Sequence, residues 1–186
     1  MGRWQPGAQG RLQQAAMELI GERGYDRVTV AEIADRAGLA ERTFFRYFAD
    51  KREVLFAGQD DFHAVILEAL AGAPAGTDAL PAVVLGLEAT GRWLDDERRP
   101  GSRARQAVID AHPELQEREL IKLARVSTAM AEVLRGRGVP DGEAVLAADV
   151  GVAAFRLAFA RWVVDDAHDL PWHLRAAVEV LRAVVA

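Results

Sequence analysis

The sequence predicts an all-α chain of about nine helices, three short ones followed by a bundle of about six longer ones. Three observations point there. Ala, Leu, Arg and Glu, all strong helix formers, are abundant. Apolar residues recur at intervals of three and four along most of the chain. No stretch alternates convincingly between apolar and polar residues as a half-buried strand would.

The elements follow in order. Residues 1–8 contain Gly2, Pro6 and Gly7 without periodicity and read as a flexible arm. A first helix runs to about Arg23, with Leu12, Ala15, Ala16, Leu19 and Ile20 on one stripe. Thr29 followed by Glu32 forms a capping box and opens a second helix, which buries Val30, Ile33, Ala34 and Ala37 and stops at Gly38. A third helix spans about Ala40 to Phe48. Asp50 and Glu53 form another capping box, opening a long fourth helix to about Leu70. A Gly- and Pro-containing loop at 71–77 precedes helices at about 79–96, 102–111, 114–135, 142–166 and 170–185.

Composition narrows the functional classes. The chain has 186 residues, enough for one domain or for one small and one medium domain. Hydrophobic residues make up 51% and charged residues 27%, which excludes wholesale disorder. There is no cysteine, so disulfides, thiolate metal sites and cysteine nucleophiles are excluded. No apolar run is free of charge long enough to span a membrane, and the N-terminus lacks the apolar core of a secretory signal, so a cytoplasmic protein without a membrane partner is expected. Residues 1–52 carry nine Lys/Arg against seven Asp/Glu, whereas residues 53–186 carry fourteen against twenty-one. A mildly basic head on an acidic body is compatible with nucleic-acid binding by the head.

The informative segment is Thr29 to Lys51. Two short helices joined through Ala37-Gly38-Leu39 form a helix-turn-helix pattern. In the second of them, Phe44 and Phe48 stand four residues apart and lock the helix onto the first two. At 100° per residue, Arg42, Phe45 and Arg46 then face outward, with Thr43 and Tyr47 at the flanks. Two outward arginines and an outward ring on so short a helix suit a major groove. Arg pairs bidentately with guanine or with phosphate, and Thr and Tyr hydroxyls reach phosphates. Lys51 stands at a helix start, where backbone N–H groups also favour a phosphate. The same pattern could also be an ordinary helical hairpin with a solvated basic face.

Residues 9–56 resemble the N-terminal domain of TetR-type transcriptional regulators. The resemblance is carried by Thr29 to Gly38, by Arg42-Thr-Phe-Phe-Arg-Tyr-Phe48, and by Asp50-Lys-Arg-Glu-Val-Leu55. It implies an organisation of arm 1–8, helix-turn-helix domain 9–50 and helical ligand-binding and dimerisation domain 51–186. It also implies a homodimer on a palindromic double-stranded operator, most simply a repressor released by a small, largely apolar effector. The DNA-contacting positions it implies are Thr29, Glu41, Arg42, Thr43, Phe45, Arg46, Tyr47 and Lys51. Two positions depart from the family pattern: Phe45 lacks the hydroxyl of the frequent Tyr, and Ala40 replaces a frequent Ser cap.

The remainder of the chain is less specific. His63, Trp93, Asp110, His112, Ser127 and Arg156 are candidates to line an effector pocket between helices. Ala147, Gly151, Ala154, Ala158 and Trp162, with Leu174, Val178 and Leu181, are candidates for a dimer interface, because small residues at helical spacing let another helix come close. No catalytic constellation, cofactor motif or metal site is expected: the four histidines do not share a helix face, and the acidic 165–169 stretch reads as a solvated loop. An enzyme is therefore not expected. The alternative reading is a helical small-molecule binder without specific DNA binding.

Overall fold

A computed structural model describes residues 7–185. Of the expected N-terminal arm, residues 1–6 lie outside the described residues, and Ala8 already begins the first helix. The chain divides into two compact units, one ending at Gln59 and the other starting at Asp60. The division falls later in the chain than the boundary near residue 50 that the family resemblance implies.

The first unit holds α1 (Ala8–Arg23), α2 (Val30–Arg36) and α3 (Glu41–Tyr47), with 3-10 turns at Tyr25–Arg27 and Lys51–Phe56. The apolar stripe of α1 is buried as expected at Leu12, Ala15, Ala16, Leu19 and Ile20. Ile33 and Ala34 of α2, then Phe44 and Phe48, complete this core. Gly38 takes φ +65°, and two backbone bonds close α2 around it: Gly38 N–H to the Asp35 carbonyl and Leu39 N–H to the Ala34 carbonyl, each 2.9 Å. This left-handed cap satisfies two orphan carbonyls and turns the chain into α3.

The expected single helix from Asp50 to Leu70 is instead two pieces. The side chain of Asp50 accepts N–H groups of Arg52 and Glu53 and opens the short 3-10 turn, whose Val54, Leu55 and Phe56 are all buried. Gly58 then adopts φ +79°, a conformation that no helix contains, and α4 (Gln59–Ala71) starts afresh. Apolar periodicity continues across the break, so it gives no sign of the interruption.

The second unit consists of α4 with α5 (Ala79–Glu88), α6 (Arg99–Asp110), α7 (Pro113–Gly136), α8 (Asp141–Trp162) and α9 (Leu170–Val185). The expected 79–96 helix stops at Glu88 and continues as a 3-10 turn over Ala89–Arg92. The α6 helix starts three residues before the expected 102, because Pro100 falls in its first turn, where a missing N–H costs nothing.

Helix α8 is central, packed on α5, α7 and α9. Its small residues are what make this possible. A Cβ on Gly151 would stand 2.3 Å from Val83 Cγ1 of α5. Ala147, Gly151, Ala154, Ala158 and Trp162 are all buried within the chain itself, as are Leu174 and Val178 of α9. The expected dimer stripe is therefore corrected: it is intrachain packing, already filled by α5 and its neighbours. Leu181 is half-buried. The apolar residues of these two helices that do face outward are others, including Leu146 (67% exposed), Val145 and Val184.

Candidate nucleic-acid interface

The start of α2 is built by a reciprocal cap. The Thr29 backbone N–H donates to Glu32 Oε2 at 2.8 Å, and the Glu32 N–H donates to Thr29 Oγ1 at 3.3 Å. The Thr29 hydroxyl also donates to Glu32 Oε2 at 2.8 Å, and Arg23 Nη1 reaches Glu32 Oε1 at 2.8 Å. The Thr29 N–H bond, then its hydroxyl and Arg23, pull the Glu32 carboxyl down to about 2 from 4.5. A phosphate approaching Thr29 would have to displace that carboxylate, so the side chain serves the cap.

Lys51 is likewise drawn inward. Its Nζ donates to the carbonyls of Tyr25 (2.9 Å) and Val28 (3.1 Å) and lies 4.0 Å from the Tyr25 ring centroid. It thereby ties the second 3-10 turn to the segment entering α2. Two of its three donors are used in this clamp, a role that motif reading missed.

Helix α3 presents the opposite arrangement. Phe44 (fully buried) and Phe48 meet at a tilt, with ring centroids 5.2 Å apart, and form its base. Phe45 is 53% exposed and meets Phe44 edge-on. Glu41, Arg42 and Arg46 are exposed, Thr43 is half-buried, and Tyr47 is exposed. Arg46 Nη2 donates to the Tyr47 hydroxyl at 3.1 Å and lies over that ring. The structure thus brings Glu41, Arg42, Phe45, Arg46 and Tyr47 onto one open surface, as the helical spacing demanded. Ala40 provides no side-chain cap.

Charge pairing sharpens the contrast. Arg36 makes a two-pronged bond to Glu22 at 2.9 Å on each arm, Arg23 pairs with Glu32, and Arg52 with Asp50. Among the described residues, no ion pair involves Arg42 or Arg46.

A helix-turn-helix with its second helix exposed, arginine-bearing and aromatic matches the model of bacterial regulatory proteins of the tetR family over residues 12–57. Residues 12–57 thus carry a helix-turn-helix of the kind that the tetR family model describes. Similarity extends past the helix-turn-helix: the chain is 29% identical over 181 residues to the HTH-type transcriptional regulator TcmR of Streptomyces glaucescens, covering 95% of this chain and 77% of that one. Its fold is similar to that of FadR from Bacillus subtilis in complex with stearoyl-CoA (TM-score 0.62, 22% identity, 92% of this chain and 96% of that chain). It is also similar to Thermus thermophilus FadR in complex with lauroyl-CoA (TM-score 0.52, 23% identity, 93% and 92%).

The expected pocket residues are dispersed over the second unit. His63 is half-buried on α4, and burial pushes its imidazole below the ordinary range, with Asp60 opposing and Lys122 assisting. Trp93 follows the 3-10 turn after α5, with Arg98 over its ring and bonded to its carbonyl at 2.9 Å. Asp110 and His112 sit at the α6–α7 corner, where His112 Nδ1 donates to the Val108 carbonyl at 2.6 Å. Ser127 is buried and donates to Asp149, tying α7 to α8, and Arg156 is exposed on α8. None of the six lines the groove of about 440 Å³ along α7 between Ile121 and Glu132, nor the one of about 520 Å³ between the 73–79 and 137–143 loops. The feature that residue-by-residue reading missed is a file of rings, Phe62, Phe155, Phe159 and Trp162, with successive centroids 5.7–6.0 Å apart. Its signal was the i, i+4 pair Phe155 and Phe159. No helix among the described residues is long and apolar enough to cross a membrane.

Proposed function

We propose that this chain is a tetR-type transcriptional regulator, a repressor that binds a palindromic operator as a homodimer and is released by a small, largely apolar effector held in the second unit. The observation that carries the reading is the outer surface of α3: Arg42 and Arg46 stand outside every ion pair found, on a helix fixed from behind by Phe44 and Phe48. Arg42 at the start of α3 reads a base edge, while Arg46 and Tyr47 meet the sugar-phosphate backbone.

A palindrome needs two copies of α3 roughly 34–36 Å apart. The outward apolar residues of α8 and α9, with Trp172, Val180 and Val184 at spacings of eight and four, supply a face for a second copy of the chain. The arm and domain organisation then becomes a head to Gln59 and a sensing and dimerising body beyond it. For the effector, the half-buried Phe62, Phe155 and Phe159 beside neutral His63 offer an apolar lining. The two FadR structures with acyl-CoA thioesters support an elongated apolar ligand of that kind.

The effector acts only through a difference in its affinity for two arrangements. Moving 1:99 to 99:1 requires about 5.5 kcal/mol of difference. Residues 51–57 belong to the first unit, with Val54, Leu55 and Phe56 buried, and Gly58 at φ +79° separates them from α4. The test is a gel shift with the duplex upstream of the protein's own gene. A salt-sensitive complex of two chains per site is expected. Small-molecule binding with no shift at any salt would instead identify a ligand carrier.

A further inference from the structure

The corner between α8 and α9 gathers three metal-ligating side chains that DNA reading does not use. Asp165, His168 and His173 each offer one ligand atom, all within 4.8 Å of one another. His168 Nδ1 lies 3.0 Å and His173 Nε2 2.9 Å from the same oxygen, Asp165 Oδ2. Around a tetrahedral zinc-class ion with bonds of about 2.0–2.1 Å, ligand atoms stand about 3.3 Å apart. Both histidine–Asp165 separations are already near that spacing, and the two histidine nitrogens lie within 4.8 Å of each other.

His173 is the deciding residue. Its side chain is 5% exposed, and neither of its ring nitrogens makes a hydrogen bond. Leaving a buried imidazole unsatisfied is unfavourable. The Asp165 oxygen is close but not aligned as an acceptor, so the Nε2 lone pair is left for an electrophile. The other two ligands are oriented from outside. Asp165 Oδ1 accepts the Ala167 N–H at 2.8 Å, which leaves Oδ2 to the histidines. The His168 ring stacks on Trp172 with centroids 3.9 Å apart, and its carbonyl accepts from Arg99 Nη2 at 2.7 Å. Such supports hold ligands in place at metal centres.

Neighbouring carboxylates are occupied elsewhere. Asp166 pairs with Arg103 at 3.0 Å and Arg99 at 3.6 Å, and Asp169 Oδ1 accepts the Trp172 N–H at 2.8 Å as a cap of α9. The set is therefore two imidazoles and one carboxylate, a donor set that suits zinc, nickel or copper rather than magnesium or calcium.

We propose that Asp165, His168 and His173 form a site for a zinc-class divalent transition-metal ion, with a remaining position for water. This revises the expectation of no metal site. Sequence spacing separates His168 from His173 across Pro171 and leaves 165–169 as a solvated acidic loop. The 165–169 turn, not a shared helix face, brings them together.

The test uses the tag-free full chain, titrated with Ni²⁺ by tryptophan fluorescence and with Zn²⁺ by calorimetry. One ion per chain at micromolar concentration is expected, with quenching of Trp172 and no response to Mg²⁺. His168→Ala, at an exposed residue, should weaken binding by about 100-fold without changing the metal-free melting curve. Trp172→Phe should keep the calorimetric signal and lose the quench. Absence of saturable Zn²⁺ binding, unchanged affinity in His168→Ala, or quenching that persists in Trp172→Phe would each overturn the proposal.

Discussion

The outer face of α3 and the small-residue face of α8 both look, in the sequence, like surfaces made for a partner. In the structure they differ. On α3, burial of Phe44 and Phe48 leaves Arg42, Phe45 and Arg46 outside, and no acidic side chain of the first unit neutralises the two arginines. On α8, the glycine and alanines are consumed by close approach of α5, with Val83 seated at Gly151. A stripe of small residues states only that a helix will come near, not whose helix it is. Cations outside any ion pair, over an aromatic base, carry more information, because no carboxylate among the described residues uses them.

That comparison can be broken at its strongest point first. Phe44→Ala removes the base of α3 and should destabilise the first unit by about 3–5 kcal/mol, seen as a lowered denaturation midpoint and lost DNA binding. A near-neutral result would mean that α3 does not rest on this ring. Next, Gly151→Val drives a side chain into Val83 and should cost about 1–3 kcal/mol. Leu146→Glu, on the outward side of the same helix, should leave monomer stability unchanged and shift sedimentation toward a single chain. If Gly151→Val instead weakened only self-association, the small-residue stripe would be a dimer face after all.

Smaller effects probe the caps. Ala40→Ser supplies the missing acceptor at the start of α3 and should add about 1 kcal/mol to the stability of the head, measured by urea denaturation. No gain would show that the α3 N-terminus is satisfied otherwise. The depressed Glu32 carboxyl adds a pH signature. Because its folded value is about 2 against an ordinary 4.5, its contribution is present above pH 4.5 and lost as pH falls toward 2. Wild type should therefore lose stability over that window relative to Glu32→Gln, and parallel curves for the two proteins would remove Glu32 from the cap.

The helix-turn-helix was legible because each of its signals is local. Thr29 and Glu32 cap within one turn, Gly38 takes the one conformation that ends α2, and Phe44 with Phe48 fixes the rotation of α3. What was lost in the sequence depends on distance. Gly58 breaks a helix whose apolar period continues unchanged. Lys51 looks like a free phosphate ligand until the carbonyls of Tyr25 and Val28, more than twenty residues away, are found around it. His173 joins His168 only through the turn before α9. The pocket candidates scattered for the same reason: polar residues on separate helices carry no information about which helices face one another.

The most direct measurement of the central claim is the affinity of wild type and Arg42→Ala for the upstream duplex and a scrambled duplex, each over a range of salt. Wild type should prefer the upstream sequence and lose affinity steeply with salt. Arg42→Ala should forfeit about 1–3 kcal/mol of that preference. Equal affinity of wild type for both duplexes, or a preference untouched by the substitution, would contradict the reading of α3 as the element that selects the operator.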